Sequence, residues 1–212
     1  MRRTIHSAII GLLILPLVFS SAKAGFNFGI SGDDDGLNGF YLAVGDYYNV
    51  PDRYIVAARE RHIPDDEMPV VFFIARKADV NSSVIIDMRN KGQSWMDISM
   101  HFKLHPEVYY VKVDEDPGPP YGRALGHFRN RDKDRWGTIV LDDRDIINLV
   151  NLRFISEYNK VSPEHVMRWR GEGKNFVTIH SDIKKSKNEG KKKEKNKEKS
   201  SEKKEKSKKD RG

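Results

Sequence analysis

Apolar residues recur at helical spacing through most of the chain, and the pattern is sharpest from Ile74 to Phe102. There it predicts a short helix, a tight turn, a second helix and a third. Residues 67–78 carry Val70, Val71, Phe72, Phe73 and Ile74, apolar nearly all round, which reads as a buried helix with a buried strand as its rival. Residues 82–91 and 95–103 read as two shorter helices. Gly92 suits the left-handed stop of the first, and Ser94 with Asp97 the start of the second. Upstream, residues 51–61 look helical behind Pro51, and Phe40 to Val44 fits either helix or strand. Downstream, Ile146, Val150 and Phe154 form one stripe that Ile147, Leu149 and Leu152 widen. That predicts a central helix to about Tyr158, the longest of the chain. Residues 163–172 follow as a helix, and Asn175 caps a last short one ending near Ile183.

Two stretches break the pattern. Residues 107–113 are rich in β-favouring side chains and allow one or two short strands. Residues 114–137 contain Asp116-Pro117-Gly118-Pro119-Pro120-Tyr121-Gly122 and read as a long Pro/Gly loop. A connection of that length inside a compact domain is usually functional or disordered, and its aromatic residues argue against disorder.

The sharpest stretch is repeated. With Val80 as reference, Ile74 and Ala75 precede it by six and five, and Ile85, Arg89, Gly92, Trp95 and Ile98 follow at five, nine, twelve, fifteen and eighteen. The same offsets around Val161 give Ile155, Ser156, Val166, Arg170, Gly173, Phe176 and Ile179, without a gap. Around Val50 they give Val44, Gly45, Ile55, Arg59 and Met68, with His62 in place of the glycine and Asp65 in place of the aromatic. Around Leu104 only the first half fits, as Ile98, Ser99 and Tyr109. The frame has a mechanical reading. A small residue lets two helices cross closely, the reference residue plugs their turn, and the apolar residue five later packs back on the first helix.

Ile155-Ser156-Glu157-Tyr158-Asn159-Lys160-Val161-Ser162-Pro163-Glu164-His165-Val166 resembles the helix-turn-helix of bacterial regulators, and Ile74 to Ile85 is similar. That resemblance implies a second helix lying in the DNA major groove. Here those helices carry Ser82, Ser83, Asp87 and Arg89, and Glu164, His165, Arg168 and Arg170, a mixed set. The wider order of Tyr47-Tyr48, repeated helix pairs, the Gly118-Pro119-Pro120-Tyr121-Gly122 turn and a final pair resembles uncharacterised exported proteins of Gram-negative bacteria. The family implies an address and no activity.

The N-terminus carries the same implication independently. Arg2-Arg3, an apolar run from Ala8 to Phe19 and Ala22-Lys23-Ala24 read as a secretory signal, residues 1–24, cleaved after Ala24. The apolar run is about a dozen residues, short of the roughly 20 a spanning helix needs, so no transmembrane helix is expected after cleavage. Residues 25–39 then read as a flexible Gly/Asp-rich lead-in, and 40–183 as one helical repeat domain. Asp33-Asp34-Asp35-Gly36 fails as a calcium loop, since the frame would begin at Ser31 and end at Leu42 instead of Glu.

Charge divides the chain. Residues 184–212 hold 14 Lys and one Arg against five Glu and one Asp, a net +9. Residues 25–183 hold 20 basic and 25 acidic residues, a net −5. The basic block has no apolar face and reads as a disordered Lys/Glu-rich tail of low complexity, able to touch anionic surfaces weakly. The acidic body and the export signal both speak against nucleic acid. With no cysteine in the chain, disulfides and thiolate metal sites are impossible.

No nucleophile elbow, phosphate-binding glycine loop or H-E-x-x-H occurs, and no catalytic, cofactor-binding or metal residue is assigned. His101 and His105 are four apart, but Pro106 and the turn at Leu104 take them off one helical face. The candidate ligand-binding residues are Tyr121, His127, Arg129, Arg131, Arg135 and Trp136 of the long loop. His127, Arg129, Arg131 and Arg135 could form an anion site with Tyr121 beside them, the alternative being a solvated charged loop packed by its aromatics. The expectation is therefore a mainly α, single compact domain of repeated helix pairs, exported to the periplasm or beyond. It would serve as a non-catalytic binding or structural component of the cell envelope, with an unidentified envelope protein or polymer as partner. The alternatives are an enzyme of unknown reaction using residues 118–136, and a DNA-binding helix-turn-helix protein. A concave pocket holding two or more of His127, Arg129, Tyr121 and an acid would favour the enzyme, and a solvated loop with no pocket the binding module.

Overall fold

A computed structural model describes residues 35–114 and 118–209, with side chains described for 36–114 and 118–195. The signal segment, most of the lead-in and the Asp33-Asp34 pair lie outside those residues. The described chain is all helix and turn. Its α-helices are α1 Asp35–Tyr48, α2 Asp52–Glu60, α3 Met68–Ala78, α4 Ser82–Asn90, α5 Trp95–His101, α6 Gly122–Arg129, α7 Asp143–Asn159, α8 Pro163–Gly171 and α9 Phe176–Lys209. Two 3-10 turns, Pro106–Tyr109 and Lys133–Thr138, complete it, and no strand occurs among the described residues.

The caps expected at Ser94 and Asn175 form, and α7 gains one that was not expected. Ser94 Oγ accepts from Asp97 N at 3.1 Å, and Asn175 Oδ1 accepts from Thr178 N at 2.8 Å. Asp142 and Asp145 close a capping box at the start of α7. The buried run 68–75 is the helix α3 and not a strand. It faces α7, which also packs on α1, α5, α6, α8 and α9, so α7 is the central helix. Phe72, Phe73 and Ile74 of α3 and Ile146, Leu149, Phe154 and Ile155 of α7 belong to one buried core.

All four places where the frame can be laid share one turn. The residue before each reference position is left-handed: Asn49 at φ 55°, Asp79 at 55°, Lys103 at 58° and Lys160 at 53°. The reference N–H then donates back five residues, Val50 to Gly45 O at 2.9 Å, Val80 to Ala75 O at 3.0 Å, Leu104 to Ser99 O at 2.9 Å and Val161 to Ser156 O at 3.1 Å. The residues six before and five after are buried in every copy. The small residue is needed where the helices cross. A Cβ on Gly45 would stand 3.3 Å from Val50 O and 3.7 Å from Ile55 Cγ1. In the Leu104 copy Ser99 Oγ donates to Trp95 O at 2.6 Å and meets the Tyr109 hydroxyl, the residue that packs back. The second stop, twelve after the reference, is left-handed too, at Gly92, Gly173 and even His62.

Four expectations change. The long loop contains a helix: α6 buries Ala124, Leu125 and Phe128, a stripe of the correct period that the flanking Pro and Gly hide. The β-favouring stretch is a 3-10 turn followed by extended chain with no partner strand, because Arg153 takes the carbonyls of Val108 at 2.8 Å and Tyr110 at 2.6 Å. Asp35 to Gly39, read as lead-in, are already the first turns of α1. The longest described helix is α9 with 34 residues, against 17 for α7. The helix does not stop at Ile183: the segment read as a disordered tail stays helical to Lys209. Lys and Glu are good helix formers, and Glu189–Lys193, Glu202–Lys206 and Glu205–Lys209 stand at the favourable four-residue spacing.

Candidate functional site

The loop candidates divide into three groups. Backbone bonds from Tyr121 N and Gly122 N to Gly118 O, at 3.0 and 2.7 Å, close the turn that starts α6. Arg129 ends that helix, and the 3-10 turn at 133–138 folds Arg135 back beside it. Arg129, Arg131 and Arg135 thus line one open cleft of 470 Å³ with Asn130, Asp132 and Thr138. His127 sits outside that lining and is tied to it, since Arg131 Nη1 donates to His127 O at 3.2 Å and stands 3.4 Å from its Nδ1.

Trp136 is the pin beneath the cleft. Its ring packs on Tyr110 at 4.6 Å and Phe128 at 5.1 Å, and its Nε1 donates to Phe128 O at 3.1 Å and Arg131 O at 3.2 Å. It anchors the backbone at Arg131. Tyr121 is elsewhere. It is fully buried, its hydroxyl has no partner, and the nearest charge acting on it is Arg170 of α8. Burial pushes its phenol well above the usual range, partly offset by that arginine. The structure therefore brings together His127, Arg129, Arg131 and Arg135, rests them on Trp136, and places Tyr121 against α8.

Position nine of the frame carries more than its spacing suggested. Arg89 forms a bidentate pair with Glu67 at 2.8 Å for both bonds, and its Nη1 reaches Asp143 at 2.6 Å. Its guanidinium lies 4.6 Å over Trp95, whose backbone N donates to the same Asp143 at 2.7 Å. This knot ties α3, α4, α5 and α7. Only the recurrence of Arg at this offset signalled it, because its two acids are distant in sequence. A second cleft, of 290 Å³, lies between the first two turns and is lined by Tyr48, Tyr54, Phe72, Arg76 and Asp79 among others. Arg76 stacks on Tyr47 and Tyr48 there, and its Nη1 donates to Tyr47 O at 3.3 Å.

His101 ends α5 and His105 precedes the next turn, with left-handed Lys103 between them, so they do not share a face. No group of three or more His, Asp or Glu able to hold a metal ion occurs among the described residues. No described helix is long and apolar enough to cross a membrane. No family model, curated protein or solved structure matches this chain. What the fold and site define is an all-α domain of repeated helix pairs that carries an arginine cleft on an inserted helix.

Proposed function

We propose that this chain is an exported, non-catalytic helical module that binds an anionic component of the cell envelope through the α6 segment. The observation that carries the reading is the cleft of Arg129, Arg131 and Arg135, where three guanidinium groups meet Asp132 as the one carboxylate of the described lining, on a body whose net charge is −5. The cleft holds Arg129 and the acid Asp132, two of the groups named for an enzyme, while His127 and Tyr121, the candidates for proton transfer, stand outside its lining. That set suits an anion held by charge and not an acid–base pair. Regulator-like DNA binding has less support. In α4 Arg89 is sequestered by Glu67 and Asp143, and Asp87 pairs with Arg61. The basic end of α9 adds a second, less specific positive surface.

Binding to vesicles of mixed phosphatidylglycerol and phosphatidylethanolamine tests this. Each basic residue near an anionic surface contributes about 1 kcal/mol, so Arg131→Gln with Arg135→Gln should weaken retention by about 2 kcal/mol, roughly 25-fold. Removing residues 188–212 should weaken it separately and additively, with retention falling as salt rises. Retention unchanged by the double substitution would overturn the role of the cleft. The address has its own test. Intact-mass measurement of the purified exported protein should find Gly25 at its N-terminus, and Met1 retained on a cytoplasmic protein would overturn export.

A further inference from the structure

The last copy of the frame repeats the Arg89 arrangement down to its side chains, except for the acids. Arg89 lies 4.6 Å over Trp95 and donates to Gln93 O at 3.0 Å. Arg170 lies 5.0 Å over Phe176 and donates to Lys174 O at 3.1 Å. Arg89 then uses its other donors on Glu67 and Asp143. Arg170 has no carboxylate partner among the described residues, and its Nε is closed off from solvent without an acceptor. The frame explains the difference. The position thirteen before the reference holds Glu67 in the second copy and neutral Asn148 in the last.

Tyr121 is a second orphan near Arg170, outside the lining of the cleft that opens there. The chain around it packs on the end of α8, where a Cβ on Gly171 would stand 3.5 Å from Pro119 O. Its buried hydroxyl has no partner and is within reach of the Arg170 charge. A buried polar group left without a partner is costly, so the unmet Arg170 Nε marks a guanidinium that the described residues do not complete.

A cleft of 370 Å³ opens at Arg170, and it carries both signs of charge. Asp65 and Asp66 line it, and Pro64, Phe176 and Val177 supply apolar surface. The acids oppose a polyanion, and the guanidinium opposes a simple amine. Asn175 also lines the cleft. Its Oδ1 caps α9, which leaves its amide N–H groups to donate.

We propose that this cleft binds a small zwitterion, an α-amino acid with an apolar side chain. Its carboxylate replaces the acids missing from Arg170, its ammonium faces Asp65 and Asp66, and its side chain lies on Phe176 and Val177. The site is separate from the arginine cleft of α6 and would operate with or without it.

Thermal shift and calorimetry with leucine, leucinamide and 4-methylpentanoate on the mature full-length protein test the assignment. Leucine should raise the Tm progressively with concentration. Leucinamide lacks the carboxylate and 4-methylpentanoate the ammonium, so each should bind at least about tenfold more weakly, the loss of one charge-assisted contact. Arg170→Met should abolish the leucine response. Asp66→Asn, at an exposed side chain, should leave the fold intact and reduce leucine to the level of 4-methylpentanoate. No response to leucine, an equal response to either analogue, or a leucine response unchanged in both variants would overturn the proposal.

Discussion

Truncating Trp95 or Phe176 to alanine should destabilise the domain by about 3–5 kcal/mol each, the range for large aromatics lost from a packed core. Both fill the same place in the frame, fifteen residues after the reference, and both are buried. Each also carries a guanidinium on its face, Arg89 on Trp95 and Arg170 on Phe176. The costs should therefore not be equal. Arg89 is part of a knot in which Glu67 is largely removed from water and Asp143 partly so, and losing the Trp95 ring opens that knot to solvent. Arg170 has no such acids among the described residues, so there Phe176→Ala removes packing and one cation–π contact. Trp95→Ala should thus lie at the upper end of the range and Phe176→Ala at the lower. Equilibrium urea unfolding measures both. A change below about 1 kcal/mol at both positions, the size usual for surface sites, would show that the frame's aromatic does not seal its helix pair.

The helix pairs are legible in the sequence because their signals are local. Ala75 and Ser156 stand at fixed offsets from Val80 and Val161, and the buried partners Ile74, Ile85, Ile155 and Val166 repeat the spacing. The left-handed residue before each reference position is not legible. Asn49 and Asp79 tolerate that backbone, but Lys103 and Lys160 carry no signal for it. They adopt it because the reference residue must turn inward to meet the packed pair. The extent of α9 is hidden for the opposite reason. Apolar periodicity ends at Ile183, and a helix sustained by propensity and charge spacing leaves no stripe to read.

The candidate site is legible in part. The arginines of 129–135 stand out by composition, but their meeting depends on the turn between α6 and Lys133. Tyr121 appears beside them in sequence and is carried away in space by the packing of Pro119 against Gly171. The Arg89 knot joins residues 22 and 54 positions apart, a separation that no local pattern reports. Arg170 has the same frame position without the acids, and that contrast exists only once both copies are seen folded.

The stability of the domain should fall as pH drops from about 6.5 to about 4, and His180 is the cause. It is buried in α9 among Phe40, Phe154 and Tyr158, with ring centroids 6.1, 6.5 and 5.9 Å away. Asn159 Nδ2 faces its Nδ1 at 3.3 Å, which makes Nδ1 the acceptor and leaves Nε2–H to donate to the Gly39 carbonyl. Burial lowers its pKa from 6.5 to about 4, and the charges of Lys184 and Lys187 add to the shift, while the Gly39 bond partly opposes it. Lys187 is held there by its own bond to Asn159 O at the end of α7. The unfolded chain thus takes up a proton near pH 6.5 that the folded chain refuses until about pH 4. The stabilisation is complete above 6.5 and is lost progressively down to about 4. At about 1.4 kcal/mol per pH unit the loss reaches roughly 3 kcal/mol. Asp142 and Glu164 act lower, because hydrogen bonds hold their carboxyls below the usual range against some desolvation. Their contributions begin to be lost near the ordinary carboxyl values, 4.5 for Glu164 and 3.8 for Asp142, and are gone once pH falls through the depressed ones. Urea unfolding should therefore show an upper decline from His180 and a lower one from the carboxyls that joins it near pH 4.5. His180→Phe, which keeps a ring against Phe40 and Phe154, should flatten the first and leave the second. His180→Gln provides the same comparison if the larger ring is not accommodated. A decline between pH 6.5 and 4.5 that survives in the substituted protein would assign the pH sensitivity to another group.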